Sequence, residues 1–235
     1  MTGAGFSYVQ ARIQARHGRR PDESDWSRLE SCESVHAYLE AARTGVLSAW
    51  AEGLNAEDGI HRLEASIRRS WRHYLDQVAS WSPEPWRAAI EWCGCLPDVP
   101  TAAHVAAAEQ PPVWLSSEEQ SGTEAPGSLD EWREEWRARM PSPDSGERAG
   151  LAALEAAVDD WVAANRDREQ DSVARAASLR ERLEHRVTTV FRRHALGPAA
   201  VFAHLLLTAL DVQRFRGGLA RRRAVSGRGV AGAAA

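Results

Sequence analysis

One acid and two guanidinium groups, Asp211, Arg214 and Arg216, sit inside an otherwise apolar run, PAAVFAHLLLTALDVQRFRGGLARRR. Asp211 and Arg214 are one helical turn apart. A charge is tolerated away from water only when it is paired and hydrogen-bonded. Such a stretch therefore belongs either to a catalytic site or to a helix sandwiched between neighbours that satisfy its charges. The other reactive side chains favour the second. His61 with Glu64, and His73 with Asp76, each lie one turn apart in IHRLEASIRRSWRHYLDQVASW, as a metal-binding pair would. At about 1.5 Å per residue, however, the two pairs are roughly 18 Å apart, too far to share one ion. Di-iron bundles also order the pair as Glu-x-x-His and draw further Glu from other helices. These four residues read as an exposed charged face. Cys93-Gly-Cys95 has the wrong spacing for a zinc half-site and no second Cys pair, so it reads as buried small residues. No phosphate-cradling glycine loop and no Gly-x-Ser-x-Gly elbow is present, so ATP or NAD binding has no support. Catalytic residues, metal and cofactor are all expected to be none. The ten Trp could form an aromatic cage or a base-stacking surface, but they fall mostly on helical stripes, as core or interface anchors do.

The elements that carry these residues are helical. Nothing alternates with period two over a useful length, β-branched residues are sparse, and helix formers dominate. The fold class expected is all-α, with packed long antiparallel helices in two three-helix-like subdomains and the N- and C-terminal helices adjacent. The first helix should run from about Ser7 to His17, with Tyr8, Arg12 and Arg16 on one line, and end at Gly18. SDWSRLE and SVHAYLEAARTG read as two short helices, the latter stopped by Gly45. Ile60, Leu63, Ile67, Trp71, Tyr74, Leu75, Val78 and Trp81 recur at three- and four-residue steps, which predicts one long amphipathic helix over 56–81, capped by Asn55 with Asp58. Ser82-Pro83 stops it and opens a helix with Trp86, Ile90 and Cys93 inward, ending at Pro97. This N-terminal helical subdomain spans 1–97. A Pro/Ser/Gly-rich stretch, 98–127, reads as a linker or reduced subdomain. The C-terminal helical subdomain, 128–224, opens on a capping box of Ser128 and Glu131 with Trp132, Trp136 and Met140 on one stripe. Three helices follow, roughly Gly146 to Ala164, Gln170 to His194 and Pro198 to Arg223, and 225–235 is expected to be a disordered tail.

The 235 residues are 43% hydrophobic, enough to bury a core. The longest apolar run, Ala199 to Leu210, is interrupted by His204 and Thr208 and falls far short of the roughly 20 residues that span a bilayer, so no direct membrane insertion is expected. The stretch from Met1 to Arg20 has no apolar segment behind a charged start, so no secretory leader is expected. Three cysteines, Cys32, Cys93 and Cys95, make no disulfide framework and fit a reducing cytoplasm. All 29 basic residues are Arg, a pattern that points to genomic base composition, and the net charge is −4, which argues against a general nucleic-acid binder. Arg nonetheless outnumbers acid from Leu179 to Ala224.

Three stretches together resemble one family. YVQARIQARHGRR, with Tyr8, Ala11, Arg12 and Ala15, is similar to the opening helix of the C-type (eukaryotic d-type) subunit of V/A-type rotary ATPases. GIHRLEASIRRSWRHYLDQVASW resembles the long helix that follows in short bacterial versions. HALGPAAVFAHLLLTALDVQRFRGGLARR is similar to the terminal helix, where an acid is followed three residues later by Arg, here Asp211 and Arg214. The resemblance implies a non-catalytic, all-helical subunit, cytoplasmic and peripheral to the inner face of the plasma membrane, with the proteolipid ring and central stalk as partners in proton or sodium translocation. Members are usually longer by about one subdomain, and Leu96 to Gly127 is where the shortening is expected. The implied meeting of first and last helices leads to a specific expectation: Asp211 pairs with Arg12 or Arg214, and Tyr8 donates a further hydrogen bond. The alternative is that Arg214 and Arg216 lie exposed on a polar face. Trp71, Trp81 and Trp86 are expected at an elbow between two helices, and with Arg216 they form the expected interface set. Two other functions stay open at this stage: a helical scaffold or regulatory protein-interaction module unrelated to ion transport, and an enzyme using His61, His73 or the Cys93/Cys95 pair.

Overall fold

A computed structural model describes residues 3–98, 129–166 and 173–232. Every regular element among them is helical. Among the described residues the α-helices are α1 (Gly3–His17), α2 (Glu23–Glu30), α3 (Val35–Arg43), α4 (Ser48–Ala51), α5 (Ile60–Trp81), α6 (Arg87–Glu91), α7 (Leu129–Ala138), α8 (Ser145–Arg166), α9 (Val173–Arg193) and α10 (Pro198–Gly232). Tight 3₁₀ turns, Glu84–Trp86 and Trp92–Asp98, flank α6. The all-α expectation is met.

Local chemistry sets the helix starts. Asp22 accepts from the Asp25 N–H at 2.9 Å while Asp25 accepts from the Asp22 N–H at 3.2 Å, a reciprocal cap on α2. The Ser24 hydroxyl and the Asp25 N–H hold the Asp22 carboxyl below its ordinary range. Asp144 and Glu147 repeat the device at α8, both bonds at 2.9 Å. Asn55 behaves differently from the expected cap. It accepts from the Glu57 N–H at 3.1 Å in a local turn, and α5 begins at Ile60 rather than at 56. The Ser128 part of the expected α7 capping box lies outside the described residues.

The chain forms two compact units, and they are not the sequential halves 1–97 and 128–224. The first unit comprises residues 1–18, 78–90 and 137–208; the second comprises 19–77, 91–136 and 209–235. Each therefore draws on chain near both termini. α5 and α10 each contribute to both units.

In the first unit, Phe6, Val9 and Ile13 from α1 are buried, as are Leu183, Val187 and Phe191 from α9 and Ala199 to Leu205 from α10. Trp86 meets Phe6 and Phe202 at ring centroid distances of 5.9 and 6.2 Å. α8 lies against α9, tied by an Arg186–Asp160 ion pair. Buried Gln10 accepts from the Leu196 N–H at 3.2 Å, and the His17 and His204 rings sit 6.4 Å apart. Within this unit the first helix and the start of the last are adjacent, as expected.

In the second unit, Leu63, Ile67, Trp71 and Leu75 form the buried face of α5, and Val212, Phe215 and Leu219 that of α10. Trp71 donates to the Cys93 carbonyl at 3.2 Å. Trp92 and Trp132 each donate to the other's carbonyl, at 3.0 and 3.4 Å. Burial pushes the Cys93 thiol well above its ordinary range, with Cys95 adding to the effect, which fits a packed small residue. α10 continues to Gly232, so residues 225–232, expected to be a disordered tail, are helical.

Candidate functional site

The charges in the part of α10 that belongs to the second unit are held by groups of that unit. Asp211 is 3% exposed and receives a bidentate pair from Arg20, Nε at 2.7 Å and Nη2 at 2.9 Å. Two parallel bonds to one carboxylate form the strongest ion-pair geometry available to arginine. The pairing expected with Arg12 or Arg214 and Tyr8 is corrected by this geometry. Arg20 follows the end of α1 at His17 and enters the second unit, whereas Tyr8 and Arg12 belong to the first. There Arg12 donates to the Tyr8 hydroxyl at 2.7 Å.

Arg214 turns to α2, which supplies Glu30 at 2.8 Å and Glu23 at 3.2 Å, and its guanidinium stands 4.7 Å from the Trp26 ring centroid. Burial lowers its pKa, but hydrogen bonds and charge from Glu23 and Glu30 outweigh that, and the net direction is upward. Arg216 is 9% exposed, so the polar-face alternative fails for it. Its Nη1 donates to the Pro97 carbonyl at 3.2 Å, and its Nε lies 2.7 Å from Glu64 Oε2 with the N–H directed off the oxygen. That contact is an ion pair without an aligned hydrogen bond.

Arg222, read from the sequence as part of a basic chain end, is buried more completely than Arg214. It donates to four carbonyls: Cys32 at 2.7 Å, Gly218 at 2.8 Å, Leu29 at 2.9 Å and Glu30 at 3.0 Å. Leu29 and Glu30 end α2, so this guanidinium bonds the terminal carbonyls at the helix's negative pole, that of Leu29 together with the Cys32 N–H at 3.1 Å. Its other side faces the Tyr38 ring at 4.1 Å. Burial pushes the Tyr38 hydroxyl up to about 12, against an opposing pull from Arg222. Gly218 makes this packing possible, because a Cβ there would stand 2.3 Å from the Tyr38 oxygen. Arg223 closes the series on the Glu57 carbonyl at 2.9 Å and the Asp58 carbonyl.

The expected interface set separates. Trp71 is buried in the second unit, Trp86 is buried in the first, and Arg216 is committed to its own chain, so these three are core rather than free surface. Trp81 is half-buried in the first unit, under Arg12 and Arg16. His61, His73 and Asp76 are exposed as expected of a charged face, but Glu64, one turn from His61 and expected on the same face, is half-buried against Arg216. Among the described residues, no three His, Cys, Asp or Glu side chains gather as a metal site. A cleft of about 350 Å³ beside Arg222 is lined by Glu30, Ser31, Cys32, Glu33 and Arg221. It sets acids against guanidiniums rather than converging one kind of charge.

Sequence reasoning placed Asp211, Arg214 and Arg216 but missed Arg20 and Arg222. Arg20 lies between helices, where periodicity says nothing, although its place after Gly18 and before Pro21-Asp22 marks a chain turning toward a new element. Comparison with protein-family models, curated proteins and solved structures finds no match to this chain.

Proposed function

We propose that this chain is a stiff, non-catalytic helical adaptor that couples the central stalk of a V/A-type rotary ATPase to its membrane proteolipid ring. The rotary assignment rests on the three stretches around Tyr8–Arg12, Ile60–Trp81 and Asp211–Arg214. The adaptor role is supported chiefly by one observation: Asp211, Arg214, Arg216, Arg222 and Arg223 are all bonded to groups of their own unit. A catalytic constellation leaves reactive groups converging on open space. Here the same groups bolt the last helix to α2, α5 and the segment after α1. Torque passes through bonded and packed helices with little slip, whereas loops absorb it. No described helix is long and apolar enough to cross a membrane, so the ring would be met through protein contacts.

Affinity purification of the tagged chain from its own cells, after mild detergent extraction, tests the reading. Recovery with stalk subunits or the proteolipid ring is expected. Recovery with neither overturns the rotary assignment, and recovery with a different helical protein replaces it by a scaffold or regulatory role.

A further inference from the structure

The outer face of α1 carries a cluster that the adaptor reading does not use. Tyr8 is 54% exposed, one of few large apolar side chains so placed among the described residues. Arg12 donates to its hydroxyl at 2.7 Å, and the Arg12 guanidinium lies 5.2 Å from the Tyr8 ring centroid and 5.4 Å from that of Trp81. One turn further on, Arg16 covers Trp81 at 4.5 Å. Among the described residues, Arg12 has aromatic partners and no carboxylate partner, and α1 itself contains no acid.

We infer that Tyr8, Arg12, Arg16 and Trp81 form a docking surface for an acidic helix of a partner protein. Tyr, Trp and Arg are the residue types that dominate binding energy at protein interfaces. Guanidiniums already stacked on rings lose less freedom when they bind than free ones do. Arg12 and Arg16 are separated by about 6 Å along the helix, the spacing of carboxylates one turn apart on a facing helix. Exposed Ala11 and Ala15 beside them let a backbone approach closely. Two guanidiniums on a chain of net charge −4 suit a short acidic segment better than a polyanion, whose binding scales with the number of phosphates neutralised. The surface stands whichever assembly the chain joins, so failure of the ATPase co-purification leaves it intact, and its own failure leaves that assignment intact.

Fluorescence anisotropy on the full chain tests it. The probes are a labelled helical alanine peptide with Glu at i and i+4, its Gln counterpart, a single-stranded oligodeoxynucleotide, and vesicles of phosphatidylcholine with phosphatidylserine. The Glu peptide is expected to bind about tenfold more tightly than the Gln peptide at low salt, and Arg12→Gln or Tyr8→Ala to weaken it about tenfold. Arg12→Lys, which keeps the charge but loses the planar stack, falls between. Because Tyr8 and Arg12 are exposed, these variants keep the wild-type circular dichroism and melting curve. Absence of Glu-peptide binding, equal binding of the two peptides, indifference to Arg12→Gln, or tighter binding of the oligonucleotide or the vesicles overturns the inference.

Discussion

Residues 198–208 and 209–223 belong to one helix yet are held in different ways. The first stretch, in the first unit, buries Val201, Phe202 and Leu205 among apolar neighbours and carries no charged side chain; Thr208 stays local, donating to the His204 carbonyl at 2.9 Å, and the His204 ring packs near Phe191. The second stretch, in the other unit, also buries Val212, Phe215 and Leu219, but inserts Asp211, Arg216 and Arg222 among them. Apolar burial is non-directional and tolerates small shifts of register. A bidentate ion pair and a guanidinium on four carbonyls accept one register only, since a displaced charge is left buried without a partner. The second stretch thus has its position specified by directional bonds as well as by burial.

The sharpest way to break that contrast is Arg222→Met, which keeps most of the volume and removes the bonds to Leu29, Glu30, Cys32 and Gly218. A loss of about 4 kcal/mol is expected in urea unfolding. Leu205→Ala, its counterpart in the first stretch, should lose about 3 kcal/mol by cavity formation. A loss under about 1 kcal/mol for Arg222→Met would show that its carbonyls find other partners.

A smaller effect is expected at the Arg20–Asp211 pair. Asp211→Asn should cost about 3 kcal/mol, and a double-mutant cycle with Arg20→Met should show a coupling of about 2 kcal/mol, because the double variant leaves no charge behind. Additive losses would mean that the two groups act independently. Smaller again is an alkaline effect from Tyr38. Its folded pKa is raised from 10.0 to about 12, so between those values the unfolded chain releases a proton that the native state keeps. Stability therefore falls as pH rises across that window, by up to about 2 kcal/mol. Tyr38→Phe should remove this slope, and parallel stability curves for the two proteins above pH 10.0 would exclude Tyr38 as its source.

Much of the fold was legible because burial leaves a period in the sequence. The stripe Ile60, Leu63, Ile67, Trp71, Leu75 and Val78 gave α5 to within a few residues of its start, and Leu179, Leu183, Val187, Val190 and Phe191 are all buried on α9. The unusual residues of the site were visible by the same logic, since Asp211 and Arg216 interrupt an apolar face. Their partners were not. Arg20 lies outside any helix, and Arg222 in ARRR looks like a solvated end. The carbonyls of Leu29, Glu30 and Cys32 carry no sequence signature, because every residue has one. The expectation that Arg12 would reach Asp211 came from the resemblance, whereas the partner the structure gives Asp211 is Arg20.

By itself, then, the sequence determined that the regular elements among the described residues are helices, which faces of α5, α9 and α10 turn inward, and that charges inside the last helix require partners. Those properties follow from local propensity and from the free energy of removing side chains from water, both written in residue type and spacing. Tertiary structure alone decided that Arg20 meets Asp211, that Arg222 reaches the end of α2, and that each compact unit is assembled from chain near both termini. These depend on which distant carboxylate or carbonyl oxygens come within about 3 Å of a donor, a distance fixed only when the helices have packed.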